Sequence, residues 1–329
     1  DDQGQRVIHQ VRGGPHILEN SIMQPFIGFV ADVPPVSARR YEIRFEDTPL
    51  PAIDPLDVAQ DDHRIMVQNQ WWTARFDHGV GGLSSLVERD SGRDLLRATV
   101  QLVAAFDTAN AWGGGRPGAV FSDPVAIFEP LSPAEVGAFV GQEDDLRGQA
   151  VRVLHQGPVA VTVECLVGWQ HTRASVQYTL YAELPHVDIN VRLHMQARQK
   201  MIKLMLPLDL PDAAAWSEIP YGVAQIATDA SEHHNLRWVR LDSSAMTVGV
   251  ANNGQSGWDV SPAGTLSLSV SRGAGHAVGG EHLPLDPNRS FTFMDQEQID
   301  TRFRLVAGPD REAVNDQLVL CLLYTSDAA

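Results

Sequence analysis

The sequence predicts an all-β protein built from large antiparallel sheets packed face to face. Three observations carry this expectation. From about Arg64 onward, apolar residues recur at every second position. Glycine (27) and proline (20) are scattered along the chain rather than clustered, as turns between many strands require. Signals for helix starts are few, and no repeat of fixed period interrupts the pattern.

Taken in order, the elements justify that reading. Before residue 60, Phe29–Val33 and Arg40–Phe45 suggest a small β unit. Pro49, Pro51 and Pro55, interleaved with Asp54, Asp57, Asp61 and Asp62, read as a stiff polar connector. Ser132-Pro-Ala-Glu135 has an N-cap hydroxyl, a proline in the first turn and an acid at the third position, which predicts one short helix. Val161, Val163, Cys165, Val167 and Trp169 then alternate in one strand. Val176, Tyr178 and Leu180 do so in the next, and Val187, Ile189, Val191, Leu193 and Met195 in a third. A strand with one buried face needs this alternation, and the short polar breaks between the runs predict an antiparallel meander. Further strands are expected at Thr247–Ala251, Leu266–Val270, Ser290–Met294 and Thr301–Val306, with a second helix over Asp310–Leu320. The expected organisation is a small β unit with its linker over 1–60, a large sandwich over 61–320 and a tail over 321–329. The last stretch, CLLYTSDAA, departs from the style of the preceding chain and reads as non-native adapter sequence.

Composition narrows the function classes. The chain has 329 residues, of which 43% are hydrophobic and 20% charged, a globular profile. The net charge of −16, with no basic run, argues against nucleic acid or an anionic membrane surface as partner, and leaves a neutral partner such as carbohydrate open. No stretch approaches the roughly 18 apolar residues of a membrane span. A soluble protein is expected, with the cytoplasm favoured. Two cysteines, Cys165 and Cys321, can build neither a disulfide framework nor a cysteine-type zinc site.

Local chemistry is sparse. His233-His234 is the best metal candidate, but neighbours in a strand face opposite ways. The acidic groups Asp61-Asp62, Glu143-Asp144-Asp145 and Glu281 with Asp286 read as solvated surface. No nucleophile elbow, phosphate loop or dinucleotide fingerprint is present. Seven tryptophans offer sugar-stacking faces. Trp169 falls on the apolar parity of its strand and is expected in the core. Trp112, beside Gly113-Gly114-Gly115, and Trp258, in an expected turn, are better placed for exposure than the tandem Trp71-Trp72. No catalytic or metal residue is assigned from these patterns.

Several segments in fixed order resemble the C-terminal half of glycoside hydrolase family 38, the α-mannosidases. They are Gln68–Asp77 (QNQWWTARFD), Gly81–Leu86 (GGLSSL) and Asp90–Arg93 (DSGR), preceded by Phe29–Pro35 with Arg40-Tyr41. Gly157–Val159, Leu180-Tyr181 with Val187–Ile189, and Lys203–Pro207 follow. Glu218–Gly222 (EIPYG), Arg237-Trp238, Asn252-Asn253 with Gly257–Asp259, and Leu266–Arg272 complete the series. The chain departs from the family pattern at Asn253, at Gly273–Gly275 and at Ala307–Pro309.

The resemblance implies a β-supersandwich of the galactose-mutarotase type. It also implies a retaining α-mannosidase with one zinc ion, whose ligands and catalytic carboxylates lie on an N-terminal barrel that nothing in this sequence matches. The chain is therefore expected to be the non-catalytic C-terminal portion, partnered by the catalytic domain and by α-mannosides. Arg272, at a strand end, is the leading substrate-binding candidate, because a guanidinium can hold sugar hydroxyls in pairs. Tyr221, Trp258 and Asp259 are lesser candidates. One alternative is a stand-alone carbohydrate-binding sandwich; another, an aldose epimerase, would need a histidine and a carboxylate such as His194 and Glu218 on one sugar.

Overall fold

The computed structural model describes residues 5–12, 26–34, 36–44, 56–107, 124–140, 148–275 and 288–320. Alternation becomes sheet almost throughout. The expected meander is the spine of a ten-stranded sheet: Ala160–Trp169, Thr172–Tyr181 and Val187–His194 run antiparallel, with Val176 opposite Cys165 on one side and Val191 on the other. Gln298–Gly308 pairs with the last of these, and Thr247–Asn252, Trp238–Asp242, Ala214–Ile219 and Gly222–Ile226 continue to the far edge. A six-stranded sheet holds Lys200–Pro207 between Thr265–Arg272 and Gln101–Phe106; a four-stranded sheet is the meander from Asp57 to Glu88.

The three sheets share one continuous core. Phe76 of the four-stranded sheet meets Tyr178 of the ten-stranded sheet with ring centroids 5.3 Å apart, and Leu204, Leu268 and Trp258 of the six-stranded sheet are buried in the same cluster. Each such fully buried large side chain contributes on the order of 1.5–3 kcal/mol.

Both expected helices form. In Pro133–Val140, Glu135 accepts hydrogen bonds from the Ser132 backbone N–H (3.0 Å) and hydroxyl (2.8 Å), the glutamate half of a capping box. Arg311–Leu320 is capped by Asp310, and its Leu318 fills the space over Gly249, where an added Cβ would lie only 2.5 Å from Leu318 Cδ1.

Other expectations are corrected. Ser290–Met294 forms no strand: only Phe293 pairs, in an isolated bridge to Gly275. Asp57 begins a strand, and Asp61 caps a tight turn by accepting from the N–H groups of His63 (2.8 Å) and Arg64 (3.0 Å), so these aspartates belong to the four-stranded sheet. The first strand, His9–Arg12, pairs with Phe26–Phe29 and also docks on the sandwich, where Gln10 Oε1 accepts from Ala160 N–H (2.9 Å). The glycines at 113–115, the acidic groups at 143–145 and at 281 and 286, the prolines at 49–55 and the tail 321–329 lie outside the described residues.

One buried histidine makes the fold pH-sensitive. His186, 6% exposed, leaves the second meander turn with no hydrogen bond to its Nε2 among the described residues, Asp188 Oδ1 lying 3.9 Å away. Burial, then the nearby Arg304 charge, push its pKa from 6.5 down to about 4, against the opposing pull of Asp188. A lowered histidine pKa means that the folded state resists protonation. The stabilising contribution is complete above pH 6.5 and is lost as the pH falls toward 4, about 3 kcal/mol in all. Urea titrations between pH 7 and 4 should show this loss, and His186→Leu should remove its share; an unchanged slope in the variant would refute the assignment.

A charged sheet face with Arg272 at its end

The six-stranded sheet turns one face to the core and carries charge on the other. Leu102, Leu204, Leu268 and Trp258 stand in register and point inward. Alternation puts their neighbours Lys203, Ser267, Ser269 and Asp259 on the opposite face. Val270 is a bulge there, an extra residue between the pairs Ile202–Ser271 and Lys203–Ser269, and it brings Arg272 back onto the charged face opposite Met201.

At the end of this face, three strand ends converge. Asp107 follows the strand Gln101–Phe106, and its N–H donates to Gln199 O (3.1 Å). Gly273 N–H donates to Lys200 O (2.8 Å), closing the other side. Across this junction the Asp107 carboxylate accepts from Arg272 Nε (2.7 Å) and Nη2 (2.8 Å), a fork-to-fork pair in which Asp107 is fully buried and Arg272 keeps 20% of its side chain exposed. Asp295 Oδ2 accepts from the Arg272 backbone N–H at 3.2 Å. Exposed Phe106 lies under Lys200 Nζ (5.5 Å), and Arg198 lies over Phe293 (5.2 Å). Arg272, Asp107 and Asp295 thus meet at one sheet end, while Lys200 and Phe106, one position out of step, face the other side of the sheet. Such a rim can grip hydroxyls.

Deeper on the same face, Lys203 (1% exposed) forms ion pairs with both Glu232 and Asp259. Ser269 Oγ donates to Glu232 Oε1 (2.6 Å). Burial, against the pull of Lys203, raises the Asp259 pKa, and its Oδ1 has no hydrogen-bond partner among the described residues.

The structure therefore separates the four sequence-chosen residues. Arg272 is at the rim. Asp259 is 0% exposed and sits under the rim as the partner of Lys203. Trp258 is not in a turn: it lies in the strand Gly257–Val260 on the core parity, 0% exposed, so its ring is no surface platform. Tyr221 is fully exposed at the apex of the hairpin joining Ala214–Ile219 to Gly222–Ile226, at φ 66° and on the other sheet. Asp107 escaped sequence reasoning, although an aspartate ending the apolar run QLVAAF was a visible signal. Trp169 is half-buried rather than enclosed, and Trp112 lies outside the described residues.

Rival chemistries can be placed too. His194 and Glu218 stand in the ten-stranded sheet with three strands between theirs, about 19 Å at the usual strand spacing, so they cannot flank one sugar carbon. His233 and His234 sit in a two-residue strand, where His233 Nε2 bonds Ser231 Oγ (3.0 Å). No three metal-ligating side chains converge among the described residues, and Glu232 and Asp259 already share Lys203 as their cation; these residues do not fit a zinc ion.

Comparison with known proteins agrees with the architecture. The chain is similar in fold to an alpha-mannosidase from Enterococcus faecalis V583, with a TM-score of 0.58, 10% identity and coverage of 96% of this chain and 38% of that one. It is similar to the same extent to a protein in glycosyl hydrolase family 38 from Enterococcus faecalis, with a TM-score of 0.60, 10% identity and coverage of 96% and 39%. This chain thus spans about two fifths of the length of the structures it matches. No curated protein matches it. Residues 67–278, more than half of the chain and the span that holds both Arg272 and the Lys203 cluster, match the glycosyl hydrolases family 38 C-terminal domain, and the chain belongs to that family.

Proposed function

We propose that this chain is the sheet-built C-terminal portion of a retaining, zinc-dependent α-mannosidase-like hydrolase, and that the end of its charged sheet face lends Arg272 to the rim of the sugar site. The carrying observation is the Arg272–Asp107 pair: a cation fixed by a buried carboxylate, still one-fifth exposed, at the end of the charged sheet face. Zinc and the bond-breaking carboxylates belong, on this reading, to the catalytic domain that the chain partners. Its own residues orient hydroxyls and exclude water. Asp259 acts through Lys203 by stiffening the face beneath the rim, and Trp258 does so from the core side. Tyr221, on the separate hairpin, is a contact for substrate or for the catalytic domain. A small β unit with its linker followed by a sandwich goes with this reading, with the boundary moved from residue 60 to before Asp57, where the four-stranded sheet begins.

The test is an assembled enzyme in which this chain is joined to a family 38 catalytic portion and assayed on an aryl α-mannoside. Arg272→Ala is expected to lower kcat/KM by about 100-fold, as the loss of about 3 kcal/mol of charged hydrogen bonding entails. Arg272→Lys should restore only part of it, because an ammonium lacks the planar fork. An unchanged kcat/KM would remove Arg272 from the site. Chelator-sensitive turnover by the 329-residue chain alone would overturn the division of labour itself.

A further inference from the structure

We propose that a second cleft, between the Glu88–Arg93 turn of the four-stranded sheet and the end of the ten-stranded sheet, binds a neutral oligosaccharide on the face of Trp71. This goes beyond the Arg272 reading and shares no residue with it. The cleft has a volume of about 600 Å³, within the range of small-ligand sites. Its first wall carries Trp71, Glu88, Asp90, Ser91 and Arg93; Met246 and Pro309 stand on the other.

The aromatic platform is fixed in advance. Asn69 Oδ1 accepts from the N–H groups of both Trp71 (2.9 Å) and Trp72 (2.7 Å), and Trp71 O accepts from Arg89 N–H (2.8 Å). The Trp72 indole N–H donates to Pro185 O (2.5 Å), clamping the neighbouring ring across the cleft floor. Trp71 itself stays half-buried. A preset aromatic face reduces the ordering cost of binding and suits the C–H face of a pyranose.

The polar groups select the ligand class. Ser91 Oγ donates to Glu88 Oε2 (2.6 Å), while Asp90 is exposed at the mouth. Arg93 Nη2 is engaged by Asp209 O (2.5 Å), but its buried Nε–H has no partner among the described residues. Glu88 and Asp90 repel an anion, the more so because the Arg93 charge is shared with Asp209. A cation would be drawn by the two carboxylates but has no use for the Arg93 Nε–H, which needs an acceptor. Hydroxyl groups, which donate and accept, match a wall that offers both carboxylate acceptors and an unused donor.

The test titrates the purified 329-residue chain with mannobiose, maltose and cellobiose, followed by calorimetry and tryptophan fluorescence, with choline and inorganic phosphate as controls. Saturable binding of at least one disaccharide at millimolar or lower concentration is expected. It should weaken at least about tenfold in Trp71→Ala. The double variant Glu88→Gln/Asp90→Asn removes no packing, and should weaken binding about threefold to tenfold with an unchanged unfolding midpoint. Trp169→Phe, in a different cleft, should leave it unchanged. No saturable disaccharide binding by the folded chain would overturn the proposal. So would binding indifferent to both cleft variants, or tighter binding of choline or phosphate than of any sugar.

Discussion

Replacing Lys203 by methionine is expected to destabilise the chain by about 3–5 kcal/mol, because it leaves two carboxylates in the interior with no counter-charge. Lys203 is 1% exposed, Asp259 0% and the Glu232 side chain 11%, so water cannot take the place of the lost ammonium. Methionine nearly conserves the volume, so the loss reports charge rather than a cavity. The triple variant Lys203→Met/Glu232→Gln/Asp259→Asn should recover most of the stability, since neither ionised form then has to be desolvated. The pH dependence carries its own sign. The folded-state pKa of Asp259 already lies above its ordinary value of 3.8, with burial as the main cause. A raised carboxylate pKa gives a contribution that is present below pH 3.8 and lost as the pH rises through the folded value. Removing Lys203 raises that value further, so the variant should lose its disadvantage on acidification. Urea midpoints at pH 4 and pH 7 measure both effects. A Lys203→Met chain as stable as the parent at pH 7 would mean that the cluster is neutral or hydrated.

What the sequence made legible follows from how far apart the interacting groups stand along the chain. Alternation is local, so Val161–Trp169, Val176–Leu180 and Val187–Met195 were readable as a meander from their own residues. The Ser132–Glu135 cap is likewise contained within four positions. Lys203 and Asp259 are 56 positions apart and meet only because both strands flank Thr265–Arg272. No local pattern encodes that pairing. A partial signal did exist: one of only two lysines stands inside the apolar run MIKLMLP, where an unpaired charge would be intolerable. Trp258 was misplaced in a turn. The strand between His233-His234 and Thr265–Arg272 instead buries its tryptophan against the core. Ser290–Met294 had the right alternation but acquires only a one-residue bridge, so the pattern had no ladder to join. The cleft at Trp71 was hidden for a different reason. Its second wall is contributed by Met246 and Pro309, which only the packing of two sheets brings near the tandem tryptophans.

Asp107→Ala should be the second most damaging change, and in the assembled enzyme it should imitate the loss of Arg272. Asp107 is 0% exposed and makes both bonds of a fork to a guanidinium that is itself four-fifths buried. Removing one member of a fully buried pair costs about 3–5 kcal/mol; the exposed fifth of Arg272 lets water compensate in part, which lowers the expectation to about 2–3 kcal/mol. Asp107→Asn keeps the shape and one acceptor, and should fall between. If the carboxylate aims Arg272 at the sugar, the two residues form one unit. Asp107→Ala, Arg272→Ala and the double variant should then lose kcat/KM to a similar degree, so that the cycle is strongly non-additive. The loss in Asp107→Ala should appear mainly in KM if Arg272 holds substrate hydroxyls equally in the ground and transition states, and in kcat if it tightens only as charge develops. A merely structural aspartate would give a different pattern: lower stability, normal kinetics for the folded fraction, and additivity with Arg272→Ala. That outcome would detach the buried carboxylate from the sugar site while leaving its role in joining the strand ends at Phe106 and Arg272 intact.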